Sequence, residues 1–162
     1  MQINQDVKQR WVKDLRANAD KQGTGALRRS HRTAQKHDTF CCLGRLCELA
    51  VKDKVIPPPR REKSTDESLY AYNNRDDDPH DPYSNTGCLP RDVMDWAGIP
   101  EALGDNVRIK IDPSALRPAT LQALTKVAGL SYLNIERAWA LSELNDAGVP
   151  FPVIAEIVDT FL

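Results

Sequence analysis

No apolar run in this sequence approaches the ~18 residues that a membrane-spanning helix requires. The opening Met1-Gln2-Ile3-Asn4-Gln5-Asp6 lacks the apolar centre of a secretory signal. The expectation is a cytoplasmic protein with no membrane contact. An excess of either charge is missing too. With 22 Lys and Arg against 23 Asp and Glu the formal net charge is −1, which argues against nonspecific nucleic-acid binding by the molecule as a whole. Phosphate-binding loops, dinucleotide fingerprints, paired metal-binding carboxylates and calcium loops are absent as motifs. The Asp76-Asp77-Asp78 run lacks the alternation and the closing Glu that calcium coordination needs. Cysteine is present four times, but Cys41, Cys42 and Cys47 share one expected helix, a poor geometry for disulfides, and a cytoplasmic setting would keep them reduced.

What is there suits one helix-rich domain over residues 1–162. Hydrophobic residues make up 41% and charged residues 28%, ordinary values for a chain able to bury its own core. The organising stretch is Phe40 to Ala50. Phe40, Leu43, Leu46, Cys47 and Ala50 fall on one helical face, with Arg45, Glu48 and Lys52 opposite and Asp38 or Thr39 available as N-cap. Before it, Val7, Trp11, Val12 and Leu15 mark an amphipathic helix over residues 5–17 that ends before Gln22-Gly23-Thr24-Gly25. After it, Pro57-Pro58-Pro59 stops the helix and opens a polar insertion, residues 57–85, with the composition of a flexible segment. Leu69 to Tyr72 is the one strand candidate inside it.

Order resumes at Leu89-Pro90, where Val93, Met94 and Trp96 predict a short helix closed by Gly98. Val107, Ile109 and Ile111 alternate with Arg108 and Lys110, which predicts a strand. Helices are then expected over 116–127, over 135–147, and from Pro152 to the end. The fold class is α+β: a helix-rich domain with a small, mainly antiparallel sheet around Val107–Ile111, joined by Leu69–Tyr72 and the segment near Leu27. The expected core is Trp11, Leu43, Leu46, Cys47, Trp96, Trp139, Ile154 and Ile157.

The order of these pieces carries a resemblance. Trp11-Val12-Lys13-Asp14-Leu15-Arg16 is followed by Gln22, Gly25 and Leu27, then by Phe40-Cys41-Cys42-Leu43-Gly44-Arg45-Leu46-Cys47. Leu89-Pro90, Val93 and Trp96-Ala97-Gly98 come next, and Leu144-Asn145-Asp146, Gly148, Phe151 and Ile154-Ala155 close the series. This series resembles a group of small proteins encoded by tailed phages and prophages. The resemblance implies a phage origin and a small α+β domain, and it brings no catalytic residues with it. It departs over Pro57–Asn85 and between Gly98 and Leu141.

Several chemistries can be weighed at this level. A zinc site from Cys42, Cys47, Cys88 and His37 or His80 lacks the closely paired ligands of structural sites. A cysteine nucleophile at Cys41 or Cys42 would need an exposed, activated thiol, and the Phe and Leu neighbours point to burial. Leu144 to Gly148 between two helices suggests a helix-turn-helix, but the second helix carries Glu156 and Asp159 and no Lys or Arg, so sequence-specific DNA recognition is not expected.

The uneven charge is more informative. Residues 8–36 hold nine Lys and Arg against Asp14 and Asp20, a net of +7. Residues 66–81 hold six acids against Arg75, a net of −5. Lys21, Arg28, Arg29, His31, Arg32 and Lys36 surround a Gly-x-Gly turn that feeds the central helix, an arrangement suited to anions. The reading is a non-enzymatic accessory protein with no cofactor or metal, acting in the host cytoplasm. It would bind an anionic small molecule (a nucleotide signal of host defence is one candidate) or a host protein through this basic segment. Two copies could associate through their opposite charges. The alternatives are a small enzyme using a Cys or His, and a virion or assembly component.

Overall fold

Val7, Trp11, Val12 and Leu15 need an apolar partner, and the partner they find is the other end of the chain. They form the buried stripe of α1 (Gln5–Ala17), whose N-cap Asn4 accepts hydrogen bonds from the N–H groups of Asp6 and Val7. That stripe packs on α6 (Phe151–Phe161) and on α2 (Cys42–Lys52). The structure, a computed structural model, describes residues 3–31, 37–62, 68–78, 85–127 and 137–162.

The central helix is present but starts later than the apolar spacing suggests. Thr39 and Phe40 are a strand, β2 (Thr39–Phe40), because they pair with β1 (Arg28–Arg29) in the register Arg28↔Phe40 and Arg29↔Thr39. Cys41 is therefore the N-cap, its sulfur accepting from the N–H of Gly44 at 3.4 Å. Around α2 lie α1, α3 (Arg91–Ala97) and α5 (Leu141–Asp146). Its polar side turns partly inward: Lys52 is exposed, Glu48 is half-buried and Arg45 is buried. Arg45 is 7% exposed, and its guanidinium donates twice to the carboxylate of Asp14 at 2.7 and 2.9 Å.

Among the described residues, two antiparallel sheets stand where a single one was expected. The larger has the order β2-β1-β4-β3, where β3 is Arg60–Arg61 and β4 is Leu69–Ala71. The segment after Leu27 and the Leu69 strand do join one sheet, but without Val107–Ile111. That stretch supplies β5 (Arg108–Lys110), which among the described residues pairs only with β6 (Ala138–Ala140). The helix expected from residue 135 is thus a strand at 138–140. Trp139 stands opposite Ile109 and reaches the core in that register, and Glu143 accepts from the Ala140 N–H, so α5 begins only at Leu141. The earlier part of that expectation lies outside the described residues.

The helix expected over 116–127 is α4 (Pro118–Lys126). Of the expected core only Trp96 is merely half-buried; Trp11, Leu43, Leu46, Cys47, Trp139, Ile154 and Ile157 are all inside. Within the 57–85 insertion, β3 and β4 both belong to the larger sheet, while residues 63–67 and 79–84 lie outside the described part. No helix among the described residues is long and apolar enough to cross a membrane.

Four of the five residue blocks that stood out along the sequence meet at one place. Asn145 is fully buried. Its Oδ1 accepts from the Cys42 N–H at 3.1 Å and from Gln22 Nε2 at 3.3 Å, and its Nδ2 donates to the Gly23 carbonyl at 2.8 Å. Gln22 in turn donates to the Val149 carbonyl and accepts from the Phe151 N–H, capping α6 from outside. Trp11 Nε1 donates to the Cys42 carbonyl at 3.0 Å. Gly44 lets α2 lie directly on the backbone of Leu27, where an added Cβ would fall 1.8 Å from the Leu27 carbonyl oxygen. The Gln22, Cys-Cys-Leu-Gly and Leu-Asn-Asp blocks are a single buried staple. Each bond in it is worth about 1 kcal/mol, and more when its partner would otherwise be buried unpaired.

Candidate anion-binding face

Residues directly opposite one another on antiparallel strands share a face. The registers Phe40↔Arg28, Arg28↔Tyr70 and Tyr70↔Arg61 therefore place four side chains in one row across the larger sheet. The row alternates ring and guanidinium. Arg28 lies 5.3 Å from the centre of the Phe40 ring and 4.4 Å from that of Tyr70, and Arg61 lies 5.5 Å from Tyr70. From α2, Arg45 adds a further member, 4.8 Å from Phe40. Arginine stacks on aromatic faces because its planar cation meets the electron-rich ring and sheds little hydration.

The inner members of this row are neutralised inside the protein. Arg45 is paired with Asp14 as described above. Arg28 donates to Asp38 at 2.7–2.8 Å and to Glu48 at 3.3 Å. Burial opposes the Arg28 charge, but the Asp38 hydrogen bond and the Glu48 charge outweigh it and hold the guanidinium firmly protonated. Glu48 also accepts from the hydroxyl of fully buried Tyr72 at 2.5 Å. Burial and the neighbouring Glu48 carboxylate push that phenol far above its usual range. At the other end, Arg61 sits on the edge strand β3, exposed, with no carboxylate partner among the described residues.

The residues picked out along the chain are thus only partly gathered. Arg28 and Arg29 share β1, with Arg29 donating to Ser68 Oγ at 2.8 Å. The His31 ring bonds the Thr39 hydroxyl at 2.7 Å. Lys21 closes a 3-10 turn, Ala19–Lys21, away from β1 in the chain. Arg32 and Lys36 lie outside the described residues. The glycine turn does not present its amides to an anion: Gly23 N–H donates to the Phe40 carbonyl and Gly25 N–H to Asp146. The start of α2 is likewise closed by Asn145 and Cys41.

Sequence reasoning missed Arg60, Arg61 and Tyr70. Their signal was the Arg-Arg pair after the proline run, a common way to protect an exposed sheet edge from pairing with other chains. Beside that edge, a cavity of about 230 Å³ is lined by Pro57, Pro58, Arg60, Ala71, Asn73, Asn74, Arg75 and Asp77.

The thiols offer little as nucleophiles. Burial pushes Cys41 up to about 12 and raises Cys42 and Cys47 well above their ordinary value, and Cys88 is raised for the same reason.

Residues 3–162 match the family described as Domain of unknown function (DUF8296), and the chain belongs to that family. Neither a curated protein nor a solved structure matches the chain.

Proposed function

We propose that this is a phage-encoded accessory protein without catalytic activity of its own, which binds an anionic small molecule through the arginine-bearing sheet. The observation that carries the reading is the cross-strand row. β1 lies more than 30 residues before β3 and β4, yet Arg28, Tyr70 and Arg61 come into register, with Arg29 on β1 and Arg60 on β3. A fold that needed only solubility would intersperse both signs over its surface. Here the inner arginines have dedicated carboxylates, and the exposed Arg61 has none among the described residues. The raised thiols favour binding over cysteine chemistry. Phage origin, and an action within the host cell, rest on the resemblance of the sequence blocks alone.

Calorimetric titration with inorganic tripolyphosphate and with ATP, at low and high salt, tests the proposal. Binding should weaken as salt rises, and the double variant Arg60→Ala/Arg61→Ala should lose it while unfolding at nearly the wild-type temperature. A folded double variant that binds as the wild type does, or a wild-type protein that binds neither compound, would overturn it.

A further inference from the structure

The row across the sheet is a stack, and a stack has ends. One end is closed: Arg45 is buried against Phe40 and paired with Asp14. The other is open. Among the described residues β3 is the edge strand, so the Arg61 guanidinium has Tyr70 beside it on one side and no further described strand on the other. Two polar groups at this end, the Arg61 guanidinium and the Tyr70 hydroxyl, have no hydrogen-bond partner among the described residues. By contrast Arg28, Arg45 and Tyr72 further in are all satisfied. The unsatisfied groups sit side by side, a flat cation next to a phenol, at the rim of the sheet.

We infer that the open end takes a nucleoside phosphate, whose planar base stacks on Arg61 as the next ring of the series while a phosphate oxygen accepts from the same edge. This rests on the anion-binding reading above and narrows it. A bare phosphate would satisfy charge alone and would make no use of the alternation of ring and guanidinium. A planar base continues that alternation at the spacing the row already shows, between 4.4 and 5.5 Å from guanidinium to ring. Stacking also tolerates any base, so the face selects for a base plus an anion rather than for one nucleobase. The near-neutral chain, with a formal charge of −1, suits a mononucleotide better than a nucleic-acid strand, which needs many phosphate contacts.

The experiment separates the stack from the charge. ATP and tripolyphosphate carry the same phosphate chain, and only ATP has a base. The expected result is that ATP binds about tenfold or more tightly than tripolyphosphate. Arg61→Lys, which keeps the charge and loses the flat stacking surface, should bring the two to within about twofold. Equal binding of ATP and tripolyphosphate by the wild type overturns the nucleotide inference and leaves the anion-binding proposal standing. An Arg61→Lys variant that keeps the full preference for ATP overturns it as well, because the base must then be held elsewhere. Binding of neither compound removes both readings. A short single-stranded oligonucleotide that binds more tightly than ATP shows the ligand to be a strand, against this inference.

Discussion

Replacing Gly44 with alanine is the sharpest test of how this fold is built. In an ordinary helix interior the change stabilises by about 0.5–1 kcal/mol, because alanine costs less backbone entropy. Gly44 is an interior residue of α2 with no positive φ to excuse it, so propensity alone predicts a gain. The structure predicts the reverse. The new Cβ would lie 1.8 Å from the Leu27 carbonyl oxygen and 2.6 Å from its carbon. Both are backbone atoms, so no rotamer change relieves them, and α2 or the strand entry must retreat by more than an ångström. That retreat would loosen the Cys41 N–H bond to the same carbonyl and the packing of fully buried Leu27, Leu43 and Cys47. Overpacking of a core without room to relax costs about 1–3 kcal/mol, and the lost contacts add to it. A net loss of about 3 kcal/mol or more is expected, read as the shift in urea midpoint at constant slope. Gly87→Ala serves as the control: its Cβ would meet nothing within 4 Å and its φ is not positive, so its effect should stay within about 0.5 kcal/mol. A Gly44→Ala protein as stable as the wild type would refute the close approach of α2 to Leu27, and with it the placement of the central helix.

Two further outcomes follow from buried polar contacts. Asn145→Ala should destabilise by about 2–4 kcal/mol in the same assay, because it strands the Cys42 N–H and the Gly23 carbonyl in the core; a loss below 1 kcal/mol would show that the staple is not needed. Glu156, 7% exposed on α6, accepts from Thr120 and from the backbone and guanidinium of Arg117. Its hydrogen bonds to Arg117 hold its carboxyl down at about 2, against an ordinary value of 4.5. A depressed carboxylate contributes its stability fully above the unfolded value and loses it as pH falls towards the folded one. The stability gap between wild type and Glu156→Gln should therefore be widest at neutral pH and close between about pH 4.5 and 2; a gap that does not change across that window would contradict the ion pair.

The parts of the fold legible in the sequence were those in which one periodicity dominates. α1, α3, α4 and α6 are each marked by an apolar stripe and a Pro, Asn or Gly at an end. Val107, Ile109 and Ile111 alternate and are all buried. The readings that missed concern short apolar runs that fit either period. Thr39-Phe40 continues the helical face of α2, and Ala138-Trp139-Ala140 fits a helix as well as a strand. Each was settled by a partner remote in sequence, Arg28-Arg29 in one case and Ile109 in the other. Hydrogen bonding across the chain was hidden for the same reason. Nothing local to Arg45 says that Asp14 will bury it, and nothing local to Asn145 says that it will close the start of α2.

Charge counted along the sequence and charge left after folding differ for a related reason. The net of +7 over residues 8–36 is a property of the sequence, whereas a ligand meets only the charge left after folding. Arg10 goes to Asp53 and Arg28 to Asp38 and Glu48; even Arg16 lies within 4.0 Å of Asp159. All four of those acids come from outside the basic segment, so it loses part of its excess on folding, whereas Arg61 on the edge strand has no carboxylate partner among the described residues. A short Arg-Arg pair behind a proline run, weak as a linear signal, thereby becomes the exposed end of an ordered row of rings and guanidinium groups. The most recognisable stretches of the sequence, Cys-Cys-Leu-Gly and Leu-Asn-Asp, are occupied in holding α2, α5 and α6 together. The proposed binding is therefore to be tested on the sheet edge, and the folding predictions on the blocks.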